Sequence, residues 1–127
     1  MNTTAKTAPV TLEQQRAQFA WDCAKEGTAL AGDDYRNLAK AAPALIMNNG
    51  LMQTLAFYQD KGKPHHMALA GQLRRWIMKC AGGNNGQDPG FQPMMDELLR
   101  AQPDQYRRAT DEALLILRWI RQFAAAL

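Results

Sequence analysis

The C-terminal segment decides the fold class. Residues 103–124 read PDQYRRATDEALLILRWIRQFA, and their apolar side chains recur at the spacing i, i+3, i+4, i+7 that is typical of one face of an α-helix. Pro103 suits the first turn because the N–H it lacks needs no partner there, and Asp104 favours the positive end of the helix dipole. We therefore expect a long helix whose core face is Tyr106, Ala109, Ala113, Ile116, Leu117, Ile120, Phe123 and Ala124.

The N-terminal half shows the same periodicity between breaks. Thr11 followed by Gln14 is a capping-box pattern, which predicts a helix that runs to about Glu26. The segment Gly27–Gly32 is expected to be a short link, with Asp33 or Asp34 capping a second helix. Pro43 removes a backbone donor, so it is expected to interrupt that helix.

The middle of the chain predicts shorter helices. Asn48–Gly50 is a helix stop, because Asn and Gly tolerate the left-handed conformation of a helix C-cap. Helices are expected over residues 51–60, from Pro64 to Cys80 and around 93–100. Between the last two, the segment Gly82–Gly90 is predicted to be a mobile surface loop.

Together these patterns predict an all-α protein, a compact single-domain bundle of five or six helices over residues 11–127, preceded by a flexible N-terminal arm over residues 1–10. A chain of 127 residues buries roughly two-thirds of its unfolded surface and can fold without disulfides or metals. Cys23 and Cys80 are expected to remain reduced in the core. No export signal and no membrane-spanning stretch is recognised, so we expect a cytoplasmic protein.

Charge is distributed unevenly along the chain. The net charge is +3, but between Tyr35 and Gln87 the sole acidic residue is Asp60, against seven basic residues: Arg36, Lys40, Lys61, Lys63, Arg74, Arg75 and Lys79. This charge alone fits a phosphate-bearing partner or an ordinary solvated face. An ordinary surface would have acidic residues interspersed, and their absence from this segment favours binding.

One helix is expected to be the centre of that surface. Arg74, Arg75 and Lys79 are predicted on the outer face of the Pro64–Cys80 helix, and Lys61 and Lys63 precede it. Such a row of cations can follow a phosphate backbone. No motif for reading base sequence is recognised, so recognition of the backbone is expected.

No catalytic or metal-binding constellation is recognised. His65 and His66 are neighbours, and neighbouring side chains on a helix point about 100° apart, so they cannot jointly hold one metal ion there. The acidic pairs Asp33–Asp34 and Asp111–Glu112 suit helix starts and exposed turns, and Arg108 can pair with Glu112. We predict no metal, no cofactor and no enzymatic activity.

Two apolar residues of the last helix lie off its core face. Leu115 and Trp119 are predicted on the opposite side, so another element or another chain is expected to cover them. They are the candidate subunit interface.

Two ordered blocks of sequence resemble a known family. The first is YRNLAK at 35–40 followed by PALIMNNGLMQTLAF at 43–57, and the second is YRRATDEAL at 106–114 followed by WIRQFA at 119–124. They resemble the small helical subunit of the type III-B CRISPR effector (RAMP module) complex, over roughly residues 12–124.

The resemblance implies an all-α, non-catalytic subunit of an antiviral ribonucleoprotein. It implies contacts with other subunits of the complex, with further copies of the chain, and with guide RNA and target RNA. Mapped onto this sequence, the candidate RNA-binding residues are Arg74, Arg75, Lys79, Lys61, Lys63, Arg36, Lys40, Arg118 and Arg121.

Two other functions remain open from the sequence. The first is a helical protein–protein adaptor whose basic face meets an acidic partner. The second is a small nuclease or other enzyme, which would depend on Asp33, Asp34 or Asp111. Salt dependence of RNA binding separates the first from an RNA-binding subunit, and metal-dependent turnover would identify the second.

Overall fold

A computed structural model of the chain describes residues 10–82 and 86–127. These residues form five helices and no strand: α1 (Leu12–Asn49), α2 (Leu51–Lys61), α3 (Pro64–Cys80), α4 (Phe91–Arg100) and α5 (Pro103–Ala126). The prediction of an all-α bundle of five or six helices is confirmed. The predicted flexible arm, except Val10, and residues 83–85 of the predicted loop lie outside the described residues.

The start of α1 confirms the capping box. The backbone N–H of Gln14 donates to Thr11 Oγ1 at 3.0 Å, and the N–H of Thr11 donates to Gln14 Oε1 at 2.8 Å. Helical geometry then continues through the predicted link as far as its last residue, Gly32, where φ is 52° and ψ is −125° and the helix breaks. Glycine adopts a positive φ at little steric cost, so the chain turns there without a loop.

Two predicted breaks in α1 are wrong. Gly27 is buried inside the helix, and a Cβ atom there would lie 2.2 Å from the ring of Tyr35, so glycine serves close packing across the Gly32 kink. Pro43 also lies inside α1. Its neighbours Ala42 and Ile46 are buried in the core, and that burial offsets the backbone hydrogen bond that proline cannot make.

The predicted boundaries at Gly50, Pro64 and Pro103 are confirmed, whereas α4 begins at Phe91, two residues before the predicted start. Gly50 ends α1 with φ of 90° and donates its N–H to Ile46 O at 2.7 Å. Pro64 and Pro103 stand in the first turns of α3 and α5. These residues begin or end helices for the local reasons that their types predict.

The core forms where α1, α3 and α5 pack together, with α2 against α1 and α3, and α4 against α2. The predicted core face of α5 is confirmed: Tyr106, Ala109 and Phe123 pack partly buried against the core, and the members at its centre are Ala113, Ile116, Leu117, Ile120 and Ala124, at most 1% exposed. Burying such side chains stabilises the fold by roughly 1.5–3 kcal/mol for each of the larger ones. The packing fixes α5 along α1 and so brings their polar faces together.

The two cysteines are both free thiols, as predicted. Cys23 is buried, and burial raises the pKa of its thiol to about 12. The expectation that Cys80 lies in the core is wrong, because it is exposed at the end of α3. Among the described residues, no helix is long and apolar enough to cross a membrane.

Candidate nucleic-acid interface

Arg74 is not on the surface, and the expectation that it lies on an open basic face is wrong. Its side chain is 4% exposed, and its Nε and Nη2 donate to the two carboxylate oxygens of Asp88 at 2.8 and 3.0 Å. Asp88 Oδ1 also accepts the N–H of Gly90 at 2.9 Å. This bidentate pair fastens the segment before α4 to α3, so Arg74 serves the fold.

The protonation of Asp88 follows from these contacts. Partial burial alone would raise the pKa of its carboxyl group. The hydrogen bonds from Arg74 and Gly90 and the charges of Arg74 and Arg75 outweigh burial, so the pKa lies below its ordinary value. The carboxylate therefore stays ionised at neutral pH.

Arg75 is half-buried against α1. Its Nη2 lies 3.6 Å from Glu26 Oε1 and 3.8 Å from Cys23 Sγ, and its guanidinium lies 5.3 Å from the ring centroid of Phe19. A guanidinium over an aromatic face is attracted to the electrons of the ring. Arg75 thus joins α3 to α1, with about a third of its side chain exposed.

Lys79 is the exposed cation of the predicted row. Its ammonium lies 5.8 Å from the ring centroid of Trp76. Trp76 is buried and donates its Nε1–H to Glu112 Oε1 at 3.0 Å. The three residues predicted to form one basic row are therefore one buried, one half-buried and one exposed side chain.

Glu112 connects three helices. Arg16 of α1 donates to both oxygens of Glu112 at 3.2 and 2.7 Å, and Trp76 of α3 donates to the same carboxylate. Arg16 is the main reason that the pKa of Glu112 lies below its usual value. The predicted pair between Arg108 and Glu112 is wrong, since Arg108 lies 3.8 Å from Asp104 instead.

A polar groove runs between the second half of α1 and the end of α5. It has a volume of about 450 Å³. Its lining contains three of the predicted RNA-binding cations, and the lining residues are Asp33, Arg36, Asn37, Lys40, Arg121, Gln122 and Ala125. We call this the α1/α5 groove. Its two walls are far apart in the sequence and meet because α5 packs along α1.

Arg36 is fixed in this groove by the end of α5. Its Nε donates to Ala124 O at 2.9 Å, its Nη2 to Leu127 O at 3.4 Å, and its Nη1 to Asp33 Oδ1 at 2.9 Å. The last carbonyls of a helix have no partner within the helix and carry its negative dipole end. Arg36 satisfies two of the carbonyls at this end, those of Ala124 and Leu127, so much of its charge is used within the protein.

Lys40 and Arg121 remain as the open cations of the groove. Both are exposed, and neither forms an ion pair with another described residue. Arg118 is also exposed and stands one helical turn before Arg121. An anion in the groove would meet these charges without first displacing a carboxylate from them.

Lys61 and Lys63 flank the turn between α2 and α3. Both are exposed, and the ammonium of Lys61 lies 5.4 Å from the ring centroid of exposed Phe57. Lys61 lies at the end of α2 and Lys63 directly before α3, and neither residue lines the α1/α5 groove. The nine predicted residues therefore do not form one row: Arg36, Lys40 and Arg121 meet in the groove, and Arg118 is close to Arg121 along α5.

The candidate subunit interface is partly covered within the chain. Trp119 is half-buried and its ring centroid lies 5.6 Å from that of Phe123, which in turn lies 5.3 Å from that of Trp21 of α1. Leu115 is half-buried and lines a second groove, of about 720 Å³, together with Met94 of α4. Part of each side chain is left for a further partner, so the interface stays a prediction.

The histidines pack against each other. Their ring centroids are 4.3 Å apart, and His66 is 8% exposed. Burial, followed by the nearby charges of His65, Lys61 and Lys63, lowers the pKa of His66. Among the described residues, no group of three or more His, Cys, Asp or Glu is placed to hold a metal ion.

Two residues of the α1/α5 groove were not among the RNA-binding residues predicted from the sequence. Asn37 and Gln122 are exposed and line the α1/α5 groove beside the cations. One signal was available: Asp33, Arg36, Asn37 and Lys40 recur at i, i+3, i+4, i+7, which places four polar side chains on one face of α1. Gln122 lies opposite that face because α5 packs along α1, and the spacing of residues in the sequence does not predict this packing.

The fold and the groove define a small all-α protein with a basic groove on its surface. Residues 12–127 match the family of CRISPR-associated protein (Cas_Cmr5). Because this match spans all five helices, the chain belongs to that family, and the resemblance to a small type III-B subunit is confirmed.

A relative and a solved structure agree with this assignment. The chain is 33% identical over 118 residues to the CRISPR system Cmr subunit Cmr5 of Thermus thermophilus, covering 92% of this chain and 96% of the relative. It is also similar to the X-ray crystal structure of a CRISPR-associated Cmr5 family protein from Thermus thermophilus, with a TM-score of 0.75 and 30% identity. That match covers 94% of this chain and 98% of the other.

Proposed function

We propose that this chain is a non-catalytic small subunit of a cytoplasmic type III-B CRISPR ribonucleoprotein effector. In this role it supports guide RNA and target RNA through phosphate contacts and packs against other subunits of the complex, including further copies of itself. Family membership supports the role of a subunit. The observation that carries the RNA contact is the α1/α5 groove, where Lys40 and Arg121 meet without ion-pair partners among the described residues.

Charge arrangement supports a phosphate ligand at this groove. Cations that bind phosphates release condensed counterions, which gives affinity without base-specific contacts. Lys40 and Arg121 are available for this, and Arg118 extends the charge along α5. Lys79, Lys61, Lys63 and the exposed part of Arg75 stay predicted contacts at other positions of the surface, whereas Arg74 is no longer proposed as one.

A cluster of partly exposed aromatic side chains from α1 and α5 supports the proposed packing against other subunits. Trp21, Trp119 and Phe123 form a cluster in which Trp21 is 37% exposed. Half-covered aromatic side chains are enriched at protein interfaces, where they supply apolar area with few rotatable bonds. Leu115 and Trp119 therefore remain the proposed subunit interface.

The test compares two charge-reversed chains within the assembled complex. In the first, Lys40→Glu and Arg121→Glu are combined, and in the matched control Arg100→Glu and Arg107→Glu change two cations that are exposed and line neither groove. RNA affinity is measured as a function of salt. We expect the groove variant to lower the slope of log K against log salt by about 1.4–1.8, because each phosphate contact contributes about 0.7–0.9.

The outcome also separates RNA support from the adaptor function. Equal slopes for wild-type and groove-variant complexes would contradict phosphate binding at the groove. Failure of the groove variant to assemble even without RNA would indicate that its charges meet an acidic protein partner instead. The control variant should assemble and bind RNA as the wild type does.

A further inference from the structure

We propose that Asn37 and Gln122 make the α1/α5 groove selective for RNA over DNA by hydrogen bonding to the ribose 2′-hydroxyl group. This inference rests on the proposed phosphate binding at the groove and adds the sugar to what the groove recognises.

The groove places a carboxamide beside each open cation. Asn37 and Lys40 are three residues apart on α1, which puts their side chains on neighbouring positions about one helical turn apart. Gln122 directly follows Arg121 on the facing wall. The remaining polar groups of the lining, Asp33 and Arg36, already bond to each other.

Both carboxamides are open to solvent. Asn37 and Gln122 are exposed, and no side-chain hydrogen bond to another described residue engages either of them, unlike Gln14, Gln72 or Gln105 elsewhere in the chain. Their hydrogen-bonding capacity is therefore available to a ligand that lies in the groove.

The chemistry of a carboxamide matches a 2′-hydroxyl group. Phosphate oxygens only accept hydrogen bonds, so cations suffice for them, whereas a hydroxyl group both donates and accepts. Asn and Gln carry one carbonyl oxygen and one NH₂ group and can meet either capacity. In RNA the 2′-hydroxyl and the 3′-phosphate belong to the same ribose, so a cation with a neighbouring carboxamide fits the two groups together. DNA offers the phosphate without the hydroxyl.

The experiment uses the full-length chain and single-stranded RNA and DNA of one sequence, compared by fluorescence anisotropy at low salt. We expect wild type to bind the RNA about fivefold more tightly than the DNA, a factor in the range of about one net hydrogen bond. The variant that combines Asn37→Ala and Gln122→Ala should lose this preference by binding RNA less tightly while its DNA affinity is unchanged. The matched control combines Gln53→Ala and Gln92→Ala, which are exposed outside the groove, and should keep the preference.

The possible outcomes distinguish this inference from the proposed function. Equal binding of RNA and DNA by wild type, or an unchanged preference in the groove variant, would overturn the sugar readout and leave phosphate binding intact. Absence of binding to either nucleic acid would overturn phosphate binding by this chain, and the sugar readout with it. Circular dichroism checks that each variant remains helical.

Discussion

Arg74 and Arg75 of α3 carry the same charge as Lys40 and Arg121 of the α1/α5 groove but act differently. On α3, Arg74 is buried against Asp88, and Arg75 bridges to Glu26. In the groove, Lys40 and Arg121 are exposed and form no ion pair with another described residue. The position of the partner carboxylates therefore decides which cations hold the protein together and which are available to a ligand.

The largest expected loss of stability comes from breaking the ion pair between Arg74 of α3 and Asp88. Asp88→Ala leaves the guanidinium of Arg74 buried without its partner, which should lower the free energy of unfolding by about 3 kcal/mol. Arg74→Met is the matched control: it removes the buried charge, and Asp88, whose side chain is 34% exposed, can be hydrated. The control should cost less, about 1–2 kcal/mol. Urea denaturation measures both, and equal losses would contradict the explanation that the unpaired buried guanidinium makes Asp88→Ala the costlier change.

The second effect concerns the carboxylate that joins α1, α3 and α5. Glu112→Gln removes the charge that Arg16 pairs with and keeps the size of the side chain, so stability at neutral pH should fall by about 2 kcal/mol. The pKa of Glu112 is lowered in the folded protein. Its contribution is therefore fully present above the unfolded pKa and is lost as pH falls through the lower folded pKa.

Urea denaturation from neutral pH into the acid range tests this sign. The stability difference between wild type and Glu112→Gln should be largest at neutral pH and should shrink as the carboxylate becomes protonated. A difference that stays constant over this range would show that the effect of the substitution does not come from the ionised carboxylate.

The prediction of helices depended on local signals, and most of those were sufficient. Gly50, Pro64 and Pro103 set boundaries through their own backbone chemistry, which acts regardless of the rest of the fold. Gly27 and Pro43 were misinterpreted because tertiary packing overrode the local preference. The ring of Tyr35 needs a residue without a side chain at position 27, and no local pattern contains that requirement.

The candidate site was less predictable for the same reason. Arg75 and Lys79 have the spacing of one helical face and Arg74 adjoins them, but the partner of Arg74 is Asp88, beyond the end of the helix. Lys40 and Arg121 were named as separate candidates, and their shared groove depends on how α5 packs along α1. Residue types thus indicated a basic surface, whereas its location required the tertiary structure.

The third expected effect, that of reversing the charges in the α1/α5 groove, is a loss of RNA affinity without a loss of stability. Lys40→Glu combined with Arg121→Glu should weaken RNA binding at low salt by about tenfold, because two phosphate contacts are lost and charge is reversed. Both residues are exposed, so the free energy of unfolding should change by less than about 0.5 kcal/mol. Anisotropy titrations and urea denaturation of the same samples give the two numbers.

The smallest effect is expected at Lys79, the exposed cation of α3. Lys79→Ala removes a cation–π contact with Trp76, which should cost about 0.5 kcal/mol of stability. It should also lower the salt slope of RNA binding by less than about 1, since at most one phosphate contact is removed. A slope change as large as that of the groove variant would place the centre of binding on α3.

The most direct test of this difference measures stability and salt slope in parallel for Arg74→Met and for Lys40→Glu with Arg121→Glu. We expect Arg74→Met to lower the urea midpoint and keep the salt slope of RNA binding, whereas the groove variant should keep the midpoint and lower the slope by about 1.4–1.8. The reverse result, in which Arg74→Met lowers the slope and the groove variant leaves it unchanged, would contradict the division between a structural Arg74 and a ligand-binding groove.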